Sequence, residues 1–288
     1  MTEEGHAMAV YDGDGVQQFY YPNVLRYDPD QLVKRLASPK DGMGDALIAV
    51  KQLYAGAVAR TQHEKNSDII NIRDFGAQVD GINDDTSAFQ VDIDYANSIG
   101  GGIVEIPSGN TVVTSSIIVK GSVRLQGQGP SSSVIKIDDF DYDVFVFPSD
   151  YSGICGCTII SPSYRKSWIT CHLTGNSRGN IFCDLRIQNQ FYAIKITGFC
   201  VETYIIRTSI LDPIPVNGIG ISVENGNDTF IQHVNMDCSG SAAYAGIQIK
   251  NSQAVWVSDV DILNHTSNLS INPGKDQLIT WLFLLVCF

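Results

Sequence analysis

The chain of 288 residues is long enough to bury a substantial core as one unit, and its formal net charge is −12 at pH 7. This charge argues against nucleic-acid binding, and it predicts repulsion from acidic glycans unless a local basic groove or a metal ion intervenes. Charged residues make up only 17%, and 26 glycines accompany many β-branched residues, which favours all-β structure over a helical bundle. Residues 1–10, MTEEGHAMAV, are acidic and lack an apolar core, so we expect no secretion signal.

Residues 1–68 differ in composition from the rest, and we interpret them as an N-terminal adaptor or neck. Pro22 and Pro29 interrupt a stretch rich in Tyr, Asp and Gly, so no long element is expected there. Residues 36–62 are predicted to form a Ser-Pro turn at 38–39 that leads into helical segments. The alternative is a leader that docks on the start of the next domain. The predicted apolar face of the helical part consists of Ala46, Ile48, Ala49, Val50, Leu53 and Val58.

A strand, a glycine turn and one amphipathic helix are predicted between Ile70 and Gly102. Gly76 and the pair at 80–81 supply the backbone freedom for a tight reversal. A single helix followed only by strands is expected to cover the open end of a stack of strands. The helix is expected to start at one of the N-cap candidates Asp84, Asp85 and Thr86 and to bury Phe89, Ile93 and Ala96 along one face.

From Ile103 onward, short β-branched segments alternate with Gly, Ser and Pro, which predicts strands and turns. After Arg178 aliphatic residues recur about every 25 positions. Such a repeat predicts a solenoid, in which inward side chains pack on their equivalents about 4.8 Å above and below. The alternative, a β-sandwich, would not return an Ile-x-Ile pair at a near-constant step. The predicted columns are Ile187, Leu211, Met236 and Ile262; Ile194, Ile219, Ile247 and Leu269; and Ile196, Ile221, Ile249 and Ile271.

Residues 274–288 break the repeat with an apolar run from Leu278 to Phe288. This run is too short for a membrane span, so we expect none. A solenoid normally ends in a polar cap, so the segment indicates a truncated or frame-shifted product, or else a hydrophobic final coil that docks on a partner.

The seven cysteines are an odd number without regular spacing, which predicts reduced, mostly buried thiols and no disulfide framework. Cys155 and Cys157 have the spacing to hold a metal, but the chain offers no second matching pair. We therefore expect no metal site and no cofactor.

Four sequence motifs occur in a characteristic order: NIRDFGA at 71–77, DG at 80–81, NDDTSAFQ at 83–90 and GGGIVEIPSG at 100–109. On these motifs the chain resembles the pectate-lyase superfamily and the bacteriophage tailspikes within it. The resemblance implies an all-β, right-handed, single-stranded parallel β-helix over residues 69–273, with an N-terminal capping helix and a small, partly helical neck. Motifs of this kind specify the fold better than the reaction.

Outward side chains of successive coils are expected to form rows along a groove in which a glycan can lie. Counting from the columns places Asp184, Thr208, His233 and Asp259 in one row, and Arg186, Ile210, Asn235 and Asp261 in the next. Asp212 is expected one coil from Asp237. The pairs Asp212/Asp237 and Asp259/Asp261 can meet the separations that retaining or inverting glycosidases require. The alternative role for these aspartates is capping of backbone amides in turns. The catalytic candidates are Asp212, Asp237, Asp259 and Asp261, and the substrate-binding candidates are His233, Arg186, Trp256 and Tyr244.

The tailspike resemblance implies a virion tail protein, made in the host cytoplasm and acting outside the cell. Its partners would be a capsule or lipopolysaccharide and, through residues 1–68, the phage tail or baseplate; tailspikes also assemble as homotrimers. In its complete form it would bind and depolymerise the polysaccharide by general acid/base cleavage. A non-catalytic attachment fragment is one alternative. Another is a polygalacturonase-like pectinolytic enzyme, although that family's His-Gly and Arg-Ile-Lys motifs do not occur here.

Overall fold

The computed structural model describes residues 6–24, 29–138, 141–162, 168–213, 217–238 and 243–272. The chain divides into two compact units, residues 1–68 and 69–288. The predicted hydrophobic tail at 274–288 lies outside the described residues. None of the described helices has the length and apolar character needed to cross a bilayer.

The N-terminal unit is built from short elements. β1 (His6–Tyr11) and β2 (Gln17–Val24) form an antiparallel hairpin, followed by α1 (Pro29–Leu36). A 3-10 helix spans Gly44–Leu47, β3 (Ala49–Val50) pairs with β4 (Arg60–Thr61), and α2 covers Gln62–Asn66. Thr61 and Glu64 make a reciprocal capping box that satisfies the first amides of α2.

The helical face predicted within residues 36–62 is wrong. Ala49 and Val50 lie in a strand, and Leu53 and Val58 are exposed. The physical reason lies in the turns around this stretch. Gly42, Gly44 and Gly56 adopt positive φ angles of 73°, 59° and 86°, which interrupt a helix before an apolar stripe can form.

The second unit begins with a cap. β5 (Ile70–Asn71) leads into a 3-10 helix at Ile72–Phe75, which ends at Gly76 with φ of 98°. β6 (Asp80–Asp84) precedes α3 (Thr86–Ser98), whose N-cap residue is Asp85. The predicted apolar stripe of α3 is confirmed, because Phe89, Ile93 and Ala96 are fully buried.

Beyond the cap, parallel strands stack in about seven coils, which confirms the predicted parallel β-helix. Early coils have three strands each, and we call the stacks of first, second and third strands the first, second and third sheets. From β21 onward the first two strands of a coil merge into one long strand, so the first and second sheets become continuous. The first coils comprise β7 (Gly102–Ile106), β8 (Gly109–Val113), β9 (Ile117–Ile118), β10 (Val123–Gly127), β11 (Ser133–Ile137), β12 (Phe145–Phe147), β13 (Gly153–Cys155), β14 (Thr158–Ile160) and β15 (Ile169–Leu173). The later coils comprise β16 (Ser177–Arg178), β17 (Ile181–Cys183), β18 (Arg186–Gln188), β19 (Tyr192–Thr197), β20 (Cys200–Val201), β21 (Thr203–Leu211), β22 (Ile219–Glu224), β23 (Asn227–Asp237), β24 (Ala243–Lys250), β25 (Gln253–Leu263) and β26 (His265–Asn272).

The apolar columns exist, but each of the three predicted columns contains one residue that is wrong. Ile210 lies between Ile187 and Met236 in the first column, where Leu211 was expected. In the second column Ile221 stacks between Ile194 and Ile247, and Ile219 pairs with Tyr192 instead. The third column accordingly contains Ile196, Val223, Ile249 and Ile271.

Corners of the coils contain residues with positive φ, stacked one above another. At such a corner the chain turns and the side chain points away from the core, so each stack becomes an outward row. Gly, Asn and Asp recur there because they tolerate this conformation best. The corner between the first and second sheets contains Gly156, Asp184, Arg207, His233 and Asp259, and another corner contains Gly175, Gly198, Asn225 and Asn251.

The prediction that all thiols are reduced is wrong, because Cys155 and Cys183 form a disulfide between adjacent coils. The two residues pair directly in parallel strands, with Cα atoms 4.6 Å apart, a distance that permits the bond. The free cysteines of the described part of the chain are all buried: Cys157, Cys171, Cys200 and Cys238.

Candidate functional site

The corner row after the first sheet brings together four charged or titratable side chains. Arg207 donates from Nε and Nη2 to the two carboxylate oxygens of Asp184, both at 2.7 Å. These bonds hold the pKa of Asp184 below its usual value. One coil further on, Nε2 of His233 lies 3.6 Å from Oδ2 of Asp259. The row therefore consists of two pairs rather than four independent groups.

The placement of Thr208 in this row is wrong. Thr208 is buried, and Arg207 occupies the outward corner. The neighbouring row contains Ser209 where Ile210 was expected, with Arg186 before it and Asn235 after it. Asp261 follows Asn235 in the same row.

Asp212 and Asp237 lie close together, offset by one position from the predicted pairing. Asp237 pairs with Leu211, and the amide of Asp212 donates to the carbonyl of Asp237 at 2.8 Å. The side-chain amide of Asn264 donates to Oδ1 of Asp237 at 2.9 Å. This carboxylate thus has an amide partner from the next coil.

The two aromatic candidates lie in different sheets. Trp256 stacks on Phe230 at 4.5 Å between ring centroids, and Phe230 stacks on Tyr204 at 5.1 Å, with nearly parallel rings. Because both faces of Phe230 are covered, this aromatic ladder presents mainly ring edges outward. Tyr244 lies on β24 in the third sheet and is exposed.

The outer side of the third sheet carries a charged cluster that sequence reasoning missed. Oε1 and Oε2 of Glu224 lie 3.2 Å from Nζ of Lys250 and 3.4 Å from Nζ of Lys195. Burial raises the pKa of Glu224, but the two ammonium groups outweigh it and hold the pKa below its usual value. Nζ of Lys195 also lies 4.7 Å from the ring centroid of Tyr192, a cation–π distance.

Beside this cluster, three side chains from successive coils form a continuous hydrogen-bonded line. Nδ1 of His172 lies 2.6 Å from Oδ2 of Asp143, and Nε2 lies 2.8 Å from Oγ1 of Thr197. The backbone amide of Ile169 donates to the other oxygen of Asp143 at 3.0 Å. The imidazole and the carboxylate are mostly buried, with 17% and 22% of their side chains exposed. His172 follows Asp143 by 29 residues, and Thr197 follows His172 by 25, so each step is about one coil. This spacing is the signal in the sequence from which the line could have been predicted.

Within the described residues, no group of three or more His, Cys, Asp or Glu side chains is placed to hold a metal ion.

Comparison with known proteins assigns the coils to a family. The family sequence model described as "Rhamnogalacturonase A/epimerase, pectate lyase-like" matches residues 69–282. The chain belongs to this family. The superfamily resemblance predicted from the motifs at 71–109 is thereby confirmed. A second family model, described as "Head binding", matches residues 1–31.

Relatives of this pectate lyase-like chain include phage and bacterial proteins. The tail spike protein of Shigella phage Sf6 is 45% identical over 148 residues, which cover 46% of this chain and 24% of that protein. Mannuronan C5-epimerase AlgE2 of Azotobacter vinelandii is 40% identical over 82 residues, 26% of this chain and 8% of the epimerase. The chain therefore spans a quarter or less of the length of these relatives.

Among solved structures, a double mutant of the tailspike protein of E. coli bacteriophage HK620 in complex with a pentasaccharide matches with a TM-score of 0.69. The sequence identity is 15%, and the match covers 84% of this chain and 47% of that one. At this identity the likeness establishes the fold that this pectate lyase-like chain shares with the tailspike.

Proposed function

We propose that this chain is part of a phage tailspike that attaches to the virion through residues 1–68 and binds a bacterial surface polysaccharide, either a capsule or a lipopolysaccharide. The observation that carries the proposal is the order of the two family matches, "Head binding" at 1–31 followed by the pectate lyase-like match at 69–282. The similarity to the Sf6 tail spike protein supports it. So does the fold shared with a tailspike that was solved with a pentasaccharide.

The glycan-binding surface proposed here is the outer wall formed by the corner row and the row beside it. Arg186, His233 and Asn235 supply hydrogen-bonding groups, and Trp256 lies on β25, three residues before the corner residue Asp259. Polar groups on adjacent strands at about 4.8 Å intervals fit a chain of sugar rings because both are linear repeats. Tyr244, in the other sheet, belongs to a different surface.

Glycosidic cleavage is the finer proposal. Asp259 lies next to His233, and Asp261 lies two positions further on the same strand. A carboxylate next to an imidazole can exchange a proton with a leaving sugar oxygen while a second carboxylate activates water. Asp212 and Asp237 are the second candidate pair, although Asn264 engages one oxygen of Asp237.

The test measures binding and cleavage separately on purified capsule and lipopolysaccharide. Binding is followed by surface plasmon resonance, and cleavage by release of reducing ends. Single Asp→Asn changes at 212, 237, 259 and 261 are compared with Asp14→Asn, an aspartate of the hairpin turn in the N-terminal unit. We expect at least one change at 259 or 261 to reduce cleavage by about 100-fold while binding persists.

Unchanged reducing-end release in all four variants would refute this site. Binding without any cleavage by the wild-type chain would favour the second candidate function, a non-catalytic attachment module. The ion pair between Arg207 and Asp184 favours that alternative, because it occupies one carboxylate of the corner row.

Attachment and assembly are tested on the same chain. Deletion of residues 1–68 is expected to abolish incorporation into tailspike-free phage particles while leaving the far-ultraviolet circular dichroism of the coils intact. Multi-angle light scattering of the full chain checks the expected homotrimer, with a monomer as the contrary result.

A further inference from the structure

The line from Asp143 through His172 to Thr197 has a defined proton arrangement. A carboxylate can only accept hydrogen bonds, so the 2.6 Å contact requires a proton on Nδ1 of His172. In the neutral ring Nε2 then has no proton and accepts one, and the partner 2.8 Å away is the hydroxyl of Thr197. The carboxylate therefore fixes the tautomer in which the imidazole is a base toward the hydroxyl.

We propose that Thr197, His172 and Asp143 form an acyl-ester hydrolase site that removes acyl groups from sugar hydroxyls. The order hydroxyl, imidazole, carboxylate is the arrangement that activates a nucleophile in acyl transfer. The proposal rests on the proposed polysaccharide binding for its choice of substrate. An ester of a sugar hydroxyl is a suitable substrate for this site, because its leaving group needs one proton and the imidazole acquires one in the first step.

Thr197, His172 and one water molecule account for every proton and bond in the reaction. Oγ1 of Thr197 attacks the acyl carbon as its proton moves to Nε2 of His172. The ester C–O bond then breaks, and Nε2–H protonates the departing sugar oxygen. Water attacks the acyl-threonine, its proton passes to Nε2, and the same proton returns to Oγ1 as the carboxylic acid leaves. Asp143 is a positioning residue, which holds the ring and stabilises its charged form.

The surroundings of the site suit an anionic intermediate. Lys195 lies two residues before Thr197 on β19, so their side chains project from the same face of the strand. Its ammonium group is held in place by Glu224 at 3.4 Å and over the ring of Tyr192. A fixed cation on this face can stabilise the tetrahedral oxyanion, because charge interactions strengthen where water is partly excluded.

The test uses the full chain with 4-nitrophenyl acetate and with an O-acetylated polysaccharide whose acetate release is measured. Thr197→Val keeps the shape and removes the hydroxyl; Thr197→Ser keeps a hydroxyl. The control is His63→Asn, which removes another histidine paired with an aspartate, His63 with Asp45 at 3.1 Å in the N-terminal unit. We expect hydrolysis by the wild type, the Ser variant and the control, and a loss of about 100-fold in kcat for Thr197→Val and His172→Asn.

Asp143→Asn is expected to lower kcat with KM unchanged, because an amide in that position donates to Nδ1 and favours the wrong tautomer. Equal rates for wild type and Thr197→Val, or no rate above buffer in the wild type, would overturn the proposal. Mass spectrometry after treatment with a fluorophosphonate is expected to place the adduct on Thr197, and labelling elsewhere alone contradicts it. Binding of de-esterified polysaccharide, measured in parallel, is expected to survive Thr197→Val. A wild type that hydrolyses esters without binding polysaccharide refutes the proposed function and leaves the esterase site standing.

Discussion

Asp92 on the capping helix α3 makes stability depend on pH in an unusual direction. The side chain is fully buried, and neither carboxylate oxygen has a hydrogen-bond partner among the described residues. Burial, with a smaller contribution from the charge of Asp74, raises the pKa of Asp92 to about 7. The native state therefore holds a proton that the unfolded chain releases near pH 4.

The sign and the size follow from this difference. Between about pH 4 and pH 7 unfolding releases a proton, so rising pH lowers the free energy of unfolding. The shift from 3.8 to about 7 corresponds to about 4 kcal/mol at 1.36 kcal/mol for each unit. Structural relaxation and water penetration reduce the penalty for a buried ion. We therefore expect the free energy of unfolding to fall by about 2 kcal/mol over this pH range.

The perturbation is Asp92→Asn, which keeps the shape and removes the ionisation. Urea unfolding followed by circular dichroism should give equal stability for variant and wild type at pH 4, and about 2 kcal/mol in favour of the variant at pH 8. The control is Asp94→Asn on the same helix, where Lys120 and Gln90 bind an exposed carboxylate. Although partial burial opposes them, these contacts lower the pKa of Asp94, so its removal should not stabilise the chain at any pH.

This reasoning would be refuted if the wild type and Asp92→Asn had equal free energies of unfolding at every pH from 4 to 8. A wild type that gains stability over that interval relative to the variant would also refute it, because the sign would be reversed.

Three further outcomes are expected. Phe230→Ala should destabilise the chain by about 2 kcal/mol in urea unfolding, since it removes the middle ring of a stacked trio, whereas Phe199→Ala at an exposed position should change less than 0.5 kcal/mol. Reduction of the Cys155–Cys183 disulfide should lower the melting temperature by several degrees, because the disulfide closes a loop of 28 residues in the unfolded chain and this constraint contributes about 3.6 kcal/mol; a thermal scan with and without reductant checks this. Glu224→Gln should cost about 1 kcal/mol at pH 7 and progressively less as the pH falls below the usual pKa of a glutamate, since the pKa of Glu224 is lowered and its contribution is lost as the pH falls through that lowered value; a loss that does not change with pH would contradict the ion-pair account.

Sequence predicted the cap and the stacking because both depend on inward apolar side chains. Phe89, Ile93 and Ala96 recur at helical spacing, and only one arrangement of α3 buries them together. The error at Ile219 arose because Ile219, Ile221 and Val223 alternate along β22. A slip of two residues keeps every one of them facing the same way, so hydrophobic periodicity alone does not select between the two registers.

The outward rows were less predictable for a different reason. Strand alternation gives one outward residue for each inward one, but a corner residue with positive φ adds an extra outward position. In β21 both Ile206 and Arg207 precede the buried Thr208, so a count that assumes strict alternation places Thr208 outward and Ile210 out of its column. Local sequence does not mark this corner, since Arg, His and Asp all occupy it in successive coils.

This extra residue decides which side chains can act together. His233 and Asp259 meet because they occupy the same corner of neighbouring coils, and no motif in either strand announces it. Residues of the third sheet behave in the same way. Asp143, His172 and Thr197 are separated by about one coil each. Their alignment can be predicted only when the register of every intervening corner is known. In a solenoid the inward pattern therefore specifies the fold, while the lengths of the corners specify the chemistry of the outer wall.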